Sequence, residues 1–329
     1  MSKRKEDKKR KKVKSLVLLL VLTIIMFSTA TYAWFTANQT VTVSTLDVHV
    51  EASNGLQIST DASEWKTVIT NADITAGYTG SKNMVPATLN AVSTDGTVTD
   101  SELNMYKGVV GSDAQTGEYT ITAAKSTAKA GNTGDYIAFD MFLRVDQAQT
   151  IYLTTSSNVT AKEGTEDKGL KNASRVGFVT LGNASSETPA GTLQALNTPA
   201  ANAIIWEPNA DAHTARGNAS AIEYGITIDD KTDRTGYFGL KKEIANPTKL
   251  KEAMNGTDTA NATEVTPNIV TPETYTGSYK QVIRLSAGVT KIRVYMWVEG
   301  QDVDCENNAS GTDISYNVQL STQSSAAGN

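Results

Sequence analysis

Asp135-Tyr136-Ile137-Ala138-Phe139-Asp140-Met141-Phe142-Leu143-Arg144-Val145 is the stretch whose reading decides the fold. Apolar and polar side chains alternate along it with a period near two. That is the pattern of a half-buried strand, because successive strand side chains face opposite ways. Thr150-Ile151-Tyr152-Leu153-Thr154 follows with the same rhythm, and Glu118-Tyr119-Thr120-Ile121-Thr122 precedes it. Further upstream, Val41-Thr42-Val43-Ser44-Thr45-Leu46-Asp47-Val48-His49-Val50 repeats the pattern. Candidate strands continue at 175–181, 203–206, 222–228, 281–285, 291–298 and 314–320. Most are rich in Val, Ile, Thr and Tyr, which suit a pleated surface.

Helical pattern is scarce. One segment qualifies, Pro247 to Met254, preceded by Asn246 and followed by Asn255-Gly256. Asn as N-cap, Pro at the first turn and Gly past the end are the expected asymmetry of a helix. Many short strands separated by Gly, Asn and Thr turns, with one short helix, predict an all-β chain. The expected architecture is an antiparallel β-sandwich, jelly-roll-like, with long loops. Residues 70–116, 182–220 and 255–278 have weak periodicity and read as loop-rich insertions into a domain spanning 34–329.

The first 33 residues read differently. Residues 1–14 carry nine Lys/Arg against Glu6 and Asp7. An apolar run from Leu16 to Phe27 follows, interrupted by Thr23, and then Ser28-Thr29-Ala30-Thr31-Tyr32-Ala33. A basic start, a short apolar core and a small-x-small exit make a secretory signal peptide. Thr31-Tyr32-Ala33 is the expected cleavage triplet, which leaves Trp34 as the first mature residue; cleavage after Ala30 is the alternative. An uncleaved anchor is a second reading, with a span over residues 15–35 and the basic flank held on the cytoplasmic side.

Removing residues 1–33 takes nine basic and two acidic residues from totals of 30 and 35, leaving 21 and 33, a net charge of −12. An acidic surface of this kind is not that of a nucleic-acid partner, which needs concentrated positive charge. Cys305 is the single cysteine, so no intrachain disulfide is expected. A mature chain of this length can bury enough core without one, which fits a Gram-positive exported protein. Asn-x-Ser/Thr triplets occur at eight positions, Asn38 among them, a number that a chain rich in Asn, Thr and Ser produces by chance.

Site chemistry is sparse. His49 and His213 are the two histidines. One lies in an alternating strand and the other in a polar loop, and neither suggests catalysis. Gly-x-Ser-x-Gly, His-Glu-x-x-His, Cys-x-x-Cys and phosphate-cradling glycine loops are absent from the sequence, so an enzyme is not expected. The densest polar cluster runs from Glu299 to Asn308. Asp302, Asp304 and Glu306 alternate there and could converge with Asn307 on a hard cation, calcium being the oxygen-seeking choice. The plainer reading is a solvated turn between two C-terminal strands. Asp229-Asp230-Lys231-Thr232-Asp233 is a second acidic turn. Cys305, beside these acids, should have a raised thiol pKa and little reactivity.

Ala30-Thr31-Tyr32-Ala33-Trp34-Phe35-Thr36, leading into a strand that contains Leu46-Asp47-Val48, resembles the TasA/camelysin-like exported surface proteins of Firmicutes. Val294 to Cys305 is similar to a stretch in uncharacterised exported Firmicutes proteins with the same kind of N-terminus. The resemblance covers the signal junction and this C-terminal strand motif, and no more of the chain. It implies a signal removed by a dedicated signal peptidase between Ala33 and Trp34. It also implies a jelly-roll subunit of an extracellular fibre or biofilm matrix, which lends its N-terminal strand to a neighbouring copy or a related fibre subunit. An alternating strand at a mature N-terminus can complete a neighbour's sheet edge, with Trp34, Phe35, Val41, Val43 and Leu46 as its anchors. The competing expectation is a membrane-anchored adhesin or glycan-binding surface module using aromatics such as Trp65, Tyr78 and Trp206. In this sequence no Leu-Pro-x-Thr-Gly signal follows Val298, so sortase attachment is not expected.

Overall fold

The strand predicted from 135–145 is Ile137–Val145, but it is not half-buried. Only Arg144 is partly exposed; the other eight residues are buried. The cause is its place in the sheet. On one side it pairs antiparallel with Gly288–Glu299, and on the other with Gln57–Ser59. Ile137, Phe139, Met141, Leu143 and Val145 face the main apolar cluster. Ala138 and Phe142 on the opposite face enter two smaller clusters.

This computed structural model describes residues 47–53, 55–127, 133–270, 279–306, 309 and 311–325. The expected signal segment 1–33, both sides of its expected Ala33/Trp34 junction, the expected anchors Phe35, Val41, Val43 and Leu46, and Asn307 lie outside the described residues. The described chain is mostly β, with 45% strand and 10% helix, so the β-rich part of the sequence reading holds.

Two sheets carry the architecture. In the first, the order is Lys280–Leu285, Gln149–Leu153, Ile314–Ser321, Asp47–Ser53, Val68–Ile69, with Asn158–Ala161 also pairing with Ile314–Ser321. In the second, the order is Ile269–Val270, Ile204–Glu207, Ser174–Ala184, Gly288–Glu299, Ile137–Val145, Gln57–Ser59, with Ala91–Val92 joined to the end of Gly288–Glu299. Val50, Ile151 and Val318 of the first sheet share one cluster with Phe139, Val176 and Val294 of the second.

The pairing is not purely antiparallel. Asp47–Ser53 runs parallel to Ile314–Ser321, with Val48 opposite Tyr316, Val50 opposite Val318 and Ala52 opposite Leu320. No short turn links strands from opposite ends of a chain, so nothing forces a hairpin. Direction and register follow from which faces are apolar, and all six of those residues belong to the main cluster.

The stretches expected as insertions form much of the cover of the second sheet. Gly288–Glu299 is buried along its whole length. Its outward Tyr295 and Trp297 pack with Met84, Val92, Leu103 and Met105 from 70–116, and with Ala203 and Ile205 from 182–220. Met105–Ser112 pairs with Tyr119–Ser126, which pairs in turn with Ile244–Lys249. These segments lack a clear period because each contributes only short pieces: Ala91–Val92 and Ile204–Glu207 join the second sheet, while Met84, Leu103 and Ala203 pack over its face.

Helices are more numerous than expected: Asn71–Ala76, Ala190–Gln194, Ala215–Tyr224 and Leu250–Met254 among the described residues. The predicted strand at 222–228 is overturned at its start, since Ile222 lies in Ala215–Tyr224 and is 75% exposed. Thr214 caps that helix by accepting from Gly217 N, and Gly225 ends it in a left-handed conformation. The predicted helix 247–254 is shorter. Pro247 belongs to the strand Ile244–Lys249, and the helix starts only at Leu250. No helix among the described residues is long and apolar enough to cross a membrane.

Candidate functional site

The segment after Gly288–Glu299 turns into the protein. Gln301, Asp302, Asp304 and Glu306 are all buried, so the solvated turn expected from their polarity is not what forms. The bend is held by its own polar groups. Asp304 N donates to Asp302 Oδ1 (2.8 Å), Gln301 N to Glu299 Oε1 (3.1 Å), and Cys305 N to Asp302 O (3.0 Å). Burial of this kind is tolerable only where each carboxylate meets partners.

Those partners come from distant strands and loops. Arg175, fully buried on Ser174–Ala184, places Nη2 2.6 Å from Asp302 Oδ2 and also pairs with Glu207 of Ile204–Glu207. Its Nη1 donates to Asn172 O and Ser174 O (2.8 and 3.1 Å), and its guanidinium lies 5.0 Å from the Tyr237 ring centroid. Burial would lower its pKa, but Glu207 and Asp302 more than offset that and raise it. Glu299 accepts from Trp297 Nε1 (3.1 Å), and burial pushes its carboxyl up to about 7.

Asp304 sits against the start of the helix Ala215–Tyr224. Its Oδ1 accepts from Thr214 N (2.9 Å) and Thr214 Oγ1 (2.7 Å), and its Oδ2 lies 2.7 Å from His213 Nδ1. A Cβ on Gly217 would collide with the Asp304 carboxylate, and one on Gly169 would collide with Thr214. Glycine at both positions is what lets these three pieces meet. His213 Nε2 is 3.3 Å from Thr235 Oγ1. Burial would lower the His213 pKa; the hydrogen bond to Asp304 and the charges of Asp302, Asp304 and Asp233 raise it overall.

His213, Asp302 and Asp304 therefore converge, with one ligand atom of each within 4.8 Å of the others. Glu306, the third acid expected from the sequence, goes elsewhere: Arg216 Nε lies 2.5 Å from its Oε2. Burial pushes Glu306 up to about 7. The alternation of Asp302, Asp304 and Glu306 located two of the converging acids but not His213, which sits 91 residues away from Asp304 in the chain. The one local signal was the Thr214-Ala215-Arg216-Gly217 helix start immediately after His213. Burial also raises the Cys305 thiol pKa well above its ordinary value, in the direction expected. Its neighbours Asp302 and Glu299 add to the shift.

A shallow cleft of about 350 Å³ opens beside this group, with Asp167, Lys171, Asn172, Asp211, His213 and Asp233 in its lining. A second cleft, of about 380 Å³, lies on the other side chains of the second sheet and includes Tyr78, Lys82, Asp100, Lys291 and Arg293. Beneath it Asp140 is fully buried, with Arg293 Nε at 2.7 Å, Lys291 Nζ at 3.3 Å and the Tyr78 hydroxyl donating at 2.5 Å. Of the aromatics expected on exposed loops, Trp65 and Tyr78 are partly exposed, whereas Trp206 is buried in the main cluster.

Compared with protein-family models, curated proteins and solved structures, the chain matches none of them.

Proposed function

We propose that this chain is an exported structural protein of a Gram-positive cell surface, a subunit of an extracellular fibre or matrix whose copies join by strand addition. Its body is read as a jelly-roll-like sandwich built on the two sheets. The observation that carries the reading is the place of Asp47–Ser53. This strand follows the export signal and the alternating segment 34–46, and it occupies the interior of the first sheet. Residues 34–46 immediately precede that strand in the sequence.

The receiving surface is the strand Lys280–Leu285, which ends the order of that same sheet. Val282, Ile283 and Leu285 are buried, while Gln281 and Arg284 are exposed. A terminal strand presents a row of backbone donors and acceptors that an added strand can complete, with apolar side chains supplying anchors. Trp34, Phe35, Val41, Val43 and Leu46 are the anchors of the added strand.

Protein recovered from culture medium tests this by N-terminal sequencing and electron microscopy. A mature start at Trp34 together with filaments is the expected result. A protein that stays a monodisperse monomer at high concentration overturns assembly. A second reading, an envelope-displayed glycan-binding module, is favoured by the cleft beside Tyr78 with Lys82, Lys291 and Arg293 along its wall. Trp206 drops out of that reading because it is buried.

A further inference from the structure

The group around Asp304 has features that helix capping does not require. We propose that His213, Asp302 and Asp304, joined by the side-chain carbonyl of Asn172, bind one divalent transition cation of the zinc or manganese class, which enters through the acidic cleft above them. This site is independent of strand addition.

The first observation is convergence. One donor atom from each of His213, Asp302 and Asp304 falls within a 4.8 Å span. Zinc–ligand bonds of about 2.0–2.2 Å are met by small side-chain shifts from that arrangement. Each ligand is already oriented from behind, as a metal site requires. Arg175 holds Asp302 Oδ2, Thr214 N and Oγ1 hold Asp304 Oδ1, and Thr235 Oγ1 stands beside His213 Nε2. The hydrogen between His213 Nδ1 and Asp304 Oδ2 occupies the place that the cation would take.

The second observation is an orphan. Asn172 is 5% exposed and lines the cleft, yet its Oδ1 has no hydrogen-bond partner. Its Nδ2 reaches Asp304 Oδ2 only at 3.4 Å. A half-turn of the amide exchanges oxygen and nitrogen. The carbonyl would then face Asp304, an arrangement that is repulsive unless a cation sits between them.

The third observation is charge. Glu207, Glu299, Asp302, Asp304 and Glu306 are buried together, with Arg175, Arg216 and Arg234 as the guanidinium groups that act on them. The cleft adds Asp167, Asp211 and Asp233 against Lys171. Such a surface gathers cations at its floor. The imidazole favours zinc and the carboxylates with the amide carbonyl suit manganese, whereas calcium prefers an all-oxygen shell of more ligands.

The test uses the mature chain freed of metal by chelation, titrated with zinc chloride, manganese chloride and calcium chloride by calorimetry. One equivalent of zinc or manganese should bind at least about tenfold more tightly than calcium. His213→Gln and Asn172→Ser should each weaken that binding about tenfold or more, while the metal-free proteins keep the parent's circular dichroism. Asn172→Ser carries the decision if His213→Gln fails to fold, since it replaces the side-chain amide by a hydroxyl and keeps the backbone carbonyl that Arg175 uses. Absence of saturable one-to-one binding, tighter binding of calcium, or unchanged affinity in Asn172→Ser overturns the proposal.

Discussion

Arg175 Nη2 lies 2.6 Å from Asp302 Oδ2 across 127 residues of sequence, and both side chains are sealed from water. The pair fastens the middle of the second sheet to the buried turn that follows Glu299. Glu207 closes the same guanidinium from a neighbouring strand.

Removing that cation should be severe. Arg175→Met leaves Asp302 and Glu207 buried without their counter-charge, a situation that costs about 3–5 kcal/mol. Urea unfolding of the variant should show the loss as a lower midpoint with an unchanged slope. An unchanged midpoint would mean that the two carboxylates find other partners.

Glu299 should make stability depend on pH in an unusual direction. Burial raises its pKa from 4.5 to about 7 in the folded chain. Between those values the folded state holds a proton that the unfolded state releases, so stability falls as pH rises. The contribution is full below pH 4.5 and is lost as pH climbs through about 7. Glu299→Gln stays neutral throughout and should gain on the parent across that window, by about 3 kcal/mol at most. Melting curves of both proteins at pH 4.5, 6 and 8 decide it; a constant difference would refute the assignment.

Two glycines should answer alanine in opposite ways. At Gly217 the new methyl meets the Asp304 carboxylate, and Gly217→Ala should cost about 1–3 kcal/mol through overpacking. Gly191 lies in the helix Ala190–Gln194 with open space around it. Gly191→Ala should be neutral or stabilising by up to about 1 kcal/mol. Equal effects at the two sites in thermal unfolding would contradict the crowding at Asp304.

Cys305 is 3% exposed, and burial first, then Asp302 and Glu299, raise its thiol pKa. Reaction with an aromatic disulfide reagent at pH 8 should therefore be far slower in the folded chain than in urea. Labelling at equal rates in both conditions would place the thiol at the surface.

The sheets were legible in the sequence because they are made of its most regular segments. Ile137–Val145, Gly288–Glu299 and Ile314–Ser321 fall close to where period-two patterns end. What the pattern could not convey was the second layer of cover. Ala138, Tyr295 and Trp297 face outward into residues of 70–116 and 182–220, whose contacts are with a sheet far away in sequence. The end of the helix Ala215–Tyr224 reads as a strand because Ile222, Ile226, Thr227 and Ile228 follow one another at strand-like spacing across Gly225. Thr214 and Gly225, ten residues of helix apart, marked both ends. At the cation site, Asp302 and Asp304 stood out by spacing. His213, Arg175 and Asn172 could be joined to them only by the fold, since no local rule connects residues that a sheet brings together.

The parallel pairing of Asp47–Ser53 with Ile314–Ser321 carries a consequence for timing. Synthesis runs from the N-terminus, so one of these strands is made long before the other. Until the second arrives, Val48, Val50 and Ala52 have no opposite row, and the first sheet lacks the strand at its centre. Contacts this far apart in sequence also form slowly. The first sheet therefore cannot close around its core until residues 314–321 have been made.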